Sequence, residues 1–122
     1  CGGLGGVMEG AARGARERGG LTVGVLPDAD AAGANPWIVL PLPTGMGEAR
    51  NALLVRMAEA VVAVGGEWGT LSELALARKM GVPCGTLGAP PAGVAGLPAL
   101  GGPEAAARWA LAEAGKGRTA HG

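Results

Sequence analysis

The sequence predicts an α/β fold, an open and mostly parallel sheet with helices on both faces. Three observations predict it. Short apolar runs rich in β-branched residues alternate with amphipathic stretches of helical period, glycines stand where those runs end, and loops of Pro, Asp, Ala and Gly separate the units. In such sheets ligands gather beyond the carboxyl ends of the strands, so the glycine-rich turns are the places to look for a site.

The opening CGGLGGVMEGAARGARERGG reads as a glycine loop (Gly2, Gly3, Gly5, Gly6) feeding a helix through Val7, Met8, Ala11, Ala12 and Ala15 that stops at Gly19 and Gly20. A loop of this type needs a strand to deliver it to the sheet edge, and here Cys1 comes first. The expectation is a fold missing an N-terminal βαβ portion. Leu21 to Leu26 reads as a buried strand closed by Pro27, and Asp28 to Pro36 as a polar loop. Trp37 to Leu42 is an extended run that Pro41 confines to an edge or a strand end. In PTGMGEARNALLVRMAEA, Leu53, Leu54, Met57 and Val61 fall at i, i+1, i+4 and i+8, a helical stripe. Arg50 precedes Leu53 and Leu54 by three and four residues, which places it on the same inward face at the helix start. Met8 and Met57 read as core filler.

The stretch Ala60 to Ala77, AVVAVGGEWGTLSELALA, reads as strand, glycine turn and helix. Gly65, Gly66 and Gly69 break the apolar run, and Thr70 opens the helix with Glu73 in its first turn. Backbone N–H groups at such a turn face the positive end of a helix dipole and suit a phosphate or carboxylate. Val82 to Leu87 is a further strand holding Cys84 as a small buried hydrophobe, and Gly88 to Gly102 a loop. Pro103 starts a helix over Glu104 to Ala114 on which Trp109 packs. Residues 1–114 are expected to form a single nucleotide-binding domain and 115–122 a flexible polar tail.

Composition excludes several classes. Ten basic and ten acidic side chains leave no net charge to attract nucleic acid or an anionic membrane, and three tryptophans with no Phe or Tyr give little for single-stranded bases to stack on. Two cysteines make no disulfide framework, and neither a signal peptide nor an 18-residue apolar span occurs in the sequence, so a reducing cytoplasm is the expected home. The dinucleotide fingerprint fails because Met8 holds its third glycine position, and no Lys followed by Ser or Thr marks a triphosphate loop. His121 is the single histidine, so no metal set is expected, and no cofactor is called for.

With these residues in place, GGEWGTLSE at 65–73 and the upstream Arg50 in MGEARN resemble the PGGxGTxxE signature and arginine of the Lonely Guy proteins, cytokinin-riboside-monophosphate phosphoribohydrolases formerly called lysine decarboxylases. GGLGGVMEGAARGA, GVLPDADAAGANP, TGMGEARN and GGEWGTLSELALA are more similar still to a sister branch of mostly uncharacterised bacterial Rossmann-like proteins that includes the algal molybdenum cofactor carrier. The resemblance implies a Rossmann-like fold with elements preceding Cys1, a homodimer, and a phosphate on Gly65, Gly66, Gly69 and Thr70; the second glycine loop at the strand ends, Gly2, Gly3 and Gly5, reads as the other wall of the site. It places Arg50 and Glu73 at the N-glycosidic bond of a nucleoside 5′-monophosphate. A carboxylate there can activate water and stabilise an oxocarbenium-like state, while the arginine orients a hydroxyl or phosphate or keeps Glu73 ionised.

Two departures from the pattern stand out. Gly65 replaces its proline and Glu67 its second glycine, and a carboxylate within about 5 Å of a phosphate costs on the order of 1–3 kcal/mol unless it turns to solvent. Plainer readings compete as well. Thr70 and Glu73 are spaced as a capping box, Gly2 to Gly6 fit an ordinary tight turn, and Trp68 suits either a cover over a bound ring or a packing residue. Three functions stay open: a nucleotide-binding phosphoribohydrolase, a non-catalytic carrier or sensor of molybdenum cofactor or a nucleotide, and, least favoured, a single-stranded DNA binder.

Overall fold

Parallel pairing of short strands organises the chain. The structure, a computed structural model, describes residues 1–65, 68–88, 94 and 96–121, with side chains through residue 116. Its elements run α1 (Val7–Glu17), β1 (Val23–Leu26), β2 (Leu40–Pro43), a 3-10 turn (Gly47–Ala49), α2 (Arg50–Met57), β3 (Val61–Val64), α3 (Trp68–Met80), β4 (Cys84–Leu87), β5 (Ala99–Leu100) and α4 (Pro103–His121). This is an α/β, Rossmann-like chain whose parallel strands lie, among the described residues, in two small sheets. It divides into two compact units, Cys1–Leu54 and Val55–Gly122.

In the first unit β1 and β2 pair in parallel, Val23 opposite Leu40 and Leu26 opposite Pro43. Prolines at 41 and 43 remove two ladder donors, which a strand with a single neighbour tolerates. Val25 and Leu26 are buried, whereas Leu21 is 71% exposed and lies before the strand. The α1 helix closes with Gly20 N donating to Ala15 O at 2.8 Å and Gly19 N to Arg16 O at 3.0 Å, the paired bonds of a Schellman turn.

The second unit holds β3, β4 and β5 in that order, all parallel, with Val61 opposite Cys84 and Thr86 opposite Ala99. Its core is Val55, Ala63, Leu74, Ala77 and Cys84, so α3 lays Leu74 and Ala77 against β3 and β4 in a strand–helix–strand crossover. The β5 strand falls inside the segment read as loop. At two residues, between Pro98 and Gly101, it is too short to show a period, and the bond from Thr86 N to Pro98 O at 2.9 Å fixes it beside β4.

Four expectations are corrected. The buried positions of α2 are Arg50, Asn51 and Val55, so its inward stripe is turned relative to the one read from Leu53, Leu54, Met57 and Val61. Leu53 is 38% and Met57 59% exposed, and Val61 belongs to β3. Met57 is therefore not core filler; it is the last residue of α2, outside the stripe that Val55 anchors. The last helix does not stop at Ala114 but continues over residues 115–121, where a tail was expected, because Ala, Glu, Lys and Arg sustain helix past Gly115 and Gly117. The α3 helix starts at Trp68, two residues before Thr70.

Candidate functional site

Several segments of the first unit converge on the carboxyl end of β1. Cys1 lies beside it in the parallel sense, its amino group donating to Val23 O at 3.1 Å while Val25 N donates to Cys1 O at 2.9 Å. An extended segment thus delivers the glycine loop to the strand end, as such a loop requires. Thr44 binds the last carbonyl of β1 twice, Oγ1 to Leu26 O at 2.7 Å and N to the same oxygen at 3.1 Å, and Gly47 N donates to Pro27 O at 3.0 Å. These bonds seat the TGMG turn, and α2 begins three residues later.

Arg50 is the first residue of α2 and is only 6% exposed. Its Nε donates to Val25 O at 2.9 Å and its Nη1 to Asn51 Oδ1, at 2.6 Å. A guanidinium withdrawn from water is ordinarily matched by a carboxylate. Here its close partners are dipoles, a backbone carbonyl and a carboxamide. Glu48 Oε2 stands 3.8 Å from Nη1 on a side chain that is 86% exposed, where water screens most of the attraction.

The glycine loop covers this guanidinium. A Cβ on Gly2 would lie 3.1 Å from Arg50 Nη2 and 2.7 Å from Met8 Sδ. Gly3 has φ +77°, and a Cβ there would fall 2.5 Å from Leu26 Cδ2 and 3.1 Å from Gly24 Cα. Its requirement for glycine is both conformational and steric. Asn35, 7% exposed, holds the loop from the β1–β2 connection: its Nδ2 donates to Leu4 O at 2.9 Å and Gly3 O at 3.3 Å, its N to Gly3 O at 2.8 Å, and its Oδ1 accepts from Trp37 N at 3.0 Å. Gly5 is exposed with open space around it, and Gly6 opens α1 with no side-chain cap on the first-turn N–H groups.

The remaining predicted residues stand on the β3–α3 turn of the second unit. Gly65 follows β3 with φ +89°, a left-handed turn that glycine alone adopts without strain. Gly66 and Glu67 lie outside the described residues, and with them the effect of an acid inside the loop. Gly69 and Thr70 are the second and third residues of α3, not loop residues, and Glu73 is the sixth. A capping box needs its Thr at the N-cap, so Thr70 and Glu73 do not form one. Gly69 and Thr70 still belong to a first turn whose N–H groups have no intrahelical acceptor, and Glu73 lies one turn further on. Thr70 and Glu73 are half-buried, and Trp68 is 85% exposed, which removes the packing alternative for it among the described residues.

The structure thus brings Gly2, Gly3 and Arg50 together in one unit, and in the other places Gly65 after β3 and Gly69, Thr70 and Glu73 in the first two turns of α3. Sequence reasoning missed Gly24, Asn35 and Asn51. A lone glycine inside an apolar strand is a sign of close backbone approach and pointed to Gly24, while the asparagines left no periodic trace. Among the described residues, no three His, Cys, Asp or Glu side chains gather as a metal site, and no helix is long and apolar enough to cross a membrane.

Parallel strands that end in glycine turns beside helix starts define a Rossmann-like α/β protein. Residues 1–106 match the SLOG cluster4 family, and the chain belongs to it. This agrees with the resemblance carried by GGEWGTLSE and its companions. An uncharacterised protein of Archaeoglobus fulgidus is 39% identical over 115 residues, covering 94% of this chain and 75% of the relative. Among solved structures, the molybdenum cofactor binding protein of the phototrophic bacterium Rippkaea orientalis is 41% identical with a TM-score of 0.66, over 67% of this chain and 50% of that one. The X-ray structure of TM1055, a structural genomics target, is 40% identical with a TM-score of 0.63, over 70% of this chain and 49% of that one. The chain spans about half the length of both solved structures.

Proposed function

We propose that this protein binds a phosphorylated small molecule, a nucleotide or a phosphorylated pterin such as molybdenum cofactor, at its glycine-rich turns. The observation that carries the reading is Arg50: a buried guanidinium at the carboxyl end of β1, held by dipoles, beneath a loop that admits no side chain at Gly3. A positive charge kept from water, whose one carboxylate within ion-pair distance, Glu48 at 3.8 Å, lies on an exposed side chain, favours an anion, and the first turn of α1 in the same unit carries no side-chain cap. The likeness to a molybdenum cofactor binding protein supports a carrier or sensor role over turnover.

The motif GGEWGTLSE supports a second reading, in which Glu73, half-buried on α3, activates water against the N-glycosidic carbon of a nucleoside 5′-monophosphate and the base leaves with a proton, giving ribose 5-phosphate. We also propose a cytoplasmic homodimer. The exposed Met57, Val64, Trp68 and Leu111 of the second unit supply apolar surface for the second copy.

Calorimetry with molybdenum cofactor and a panel of nucleoside 5′-monophosphates, read beside chromatography for released base, tests both readings. Tight binding without released base is expected. Release of base that Glu73→Gln abolishes would establish the hydrolase, and no binding by any phosphorylated compound would overturn the proposal.

A further inference from the structure

The residue that decides whether Arg50 can serve an anion is its neighbour. Asn51 is 3% exposed, and its Oδ1 takes the Nη1 proton of Arg50 at 2.6 Å, while Val25 O takes the Nε proton at 2.9 Å. Two acceptors on adjacent nitrogens fix the plane of the guanidinium. The same geometry could be supplied by aspartate, which is isosteric with asparagine and the commoner partner of a buried arginine. A carboxylate there would neutralise the guanidinium in place, and an incoming phosphate would meet a closed ion pair. A carboxamide orients the group and leaves its charge for the ligand.

We infer that Asn51 is a charge-sparing positioning residue: it holds Arg50 by a neutral acceptor so that the guanidinium, whose Nη2 faces the glycine loop at Gly2, keeps its positive charge for a phosphate. This rests on the phosphate-binding reading above. Asn51 also sets specificity, favouring ligands by the charge they bring to Arg50 and not by their ring.

The test is Asn51→Asp in the whole protein, with Tm measured alone and with inorganic phosphate, ribose 5-phosphate, AMP and uncharged adenosine. The substitution keeps the acceptor geometry and adds a buried counter-charge, which the exposed Glu48 at 3.8 Å supplies only through screening water, so the ligand-free Tm is expected to rise. Affinity for the three phosphates is expected to fall on the order of tenfold or more, the size of a charge-assisted hydrogen bond, with adenosine unaffected. A side chain of merely structural importance would lower Tm and weaken all ligands together. The inference is overturned if Asn51→Asp binds phosphates as the wild type does, or if its Tm falls. Should the wild type bind none of the phosphates, the phosphate-binding reading fails; a raised ligand-free Tm in Asn51→Asp would still show that Asn51 leaves the charge of Arg50 uncompensated, and an unchanged one would refute that as well.

Discussion

Asn35 Nδ2 donates to the carbonyl oxygen of Leu4 across 2.9 Å and 31 residues of sequence, while its Oδ1 accepts from Trp37 N at 3.0 Å. One buried carboxamide thereby links the β1–β2 connection to the glycine loop, using its donor and acceptor ends in opposite directions. Because both ends are used, neither a shorter nor a charged side chain can replace it.

Replacing Asn35 by Ala leaves the Leu4 carbonyl and the Trp37 amide without these partners and is expected to cost about 1–3 kcal/mol. Asn35→Asp keeps the acceptor for Trp37 but turns a carboxylate oxygen toward the Leu4 and Gly3 carbonyls, so it should cost at least as much. Urea unfolding of the two variants checks the order. A fully stable Asn35→Asp would show that Nδ2 does not hold the loop.

Two glycines of one loop should answer differently to alanine. At Gly3 a methyl meets Leu26 Cδ2 at 2.5 Å in a left-handed backbone, and at Gly5 it meets nothing within 4 Å and φ is not positive. Gly3→Ala is expected to destabilise by about 2 kcal/mol or more, adding steric displacement to the left-handed penalty, and Gly5→Ala by less than about 0.5 kcal/mol. Equal effects in thermal unfolding would mean that the loop does not press on β1.

Much of this architecture was legible beforehand because local chemistry and tertiary structure agree. Val61 to Val64 and Cys84 to Leu87 are apolar runs that end in glycine, and both are parallel strands. Arg50 is buried as expected, although the stripe used to place it inward is not the buried one: Leu53 and Met57 look like core residues, yet Asn51 and Val55 hold the inward positions, and no periodicity argument ranks a carboxamide above a leucine. Residues 115–121 read as a polar tail because they carry no apolar stripe, whereas Ala112, Glu113 and Ala114 before Gly115 and Lys116 after it favour helix, with Lys116 Nζ reaching Glu113 Oε1 at 2.9 Å. The bonds that assemble the loop, Asn35 to Leu4 and Arg50 to Val25, join residues 25 to 31 positions apart, and separations of that kind leave no local signal.

Cys84 makes stability depend on alkaline pH. It is 7% exposed, and burial pushes its thiol above the usual range, against the smaller opposing effect of Arg78. The charged form of a thiol is the deprotonated one, so a raised folded pKa means that the unfolded chain gives up its proton first, from about pH 8.5. Below that pH both states hold the proton and Cys84 contributes no slope. Above it the unfolded state binds fewer protons than the folded one, and stability falls as pH rises. Comparing denaturant midpoints of wild type and Cys84→Ala between pH 7 and 10 should show the wild type losing more; parallel curves would refute this. Exposed Cys1 should react with a thiol reagent in the native state, and Cys84 only on unfolding.

Arg50→Met should separate stability from binding. The substitution removes the donors to Val25 O and Asn51 Oδ1, and two buried acceptors left unpaired cost about 1–3 kcal/mol each at most. It also removes a desolvated charge whose ion-pair partner, Glu48 at 3.8 Å, is solvent-screened, and which carries a penalty of several kcal/mol in the wild type. These terms oppose each other and are of similar size, so the expected change in unfolding free energy is no more than about 2 kcal/mol in either direction. Ligand binding has no such compensation: a phosphate loses a charge-assisted contact, and affinity should drop about 10- to 100-fold. A loss of more than about 4 kcal/mol, the scale of breaking a buried ion pair, with affinity for phosphate retained would instead make Arg50 a structural tether between β1 and α2, since only a residue whose charge is spent within the fold destabilises it so strongly when removed.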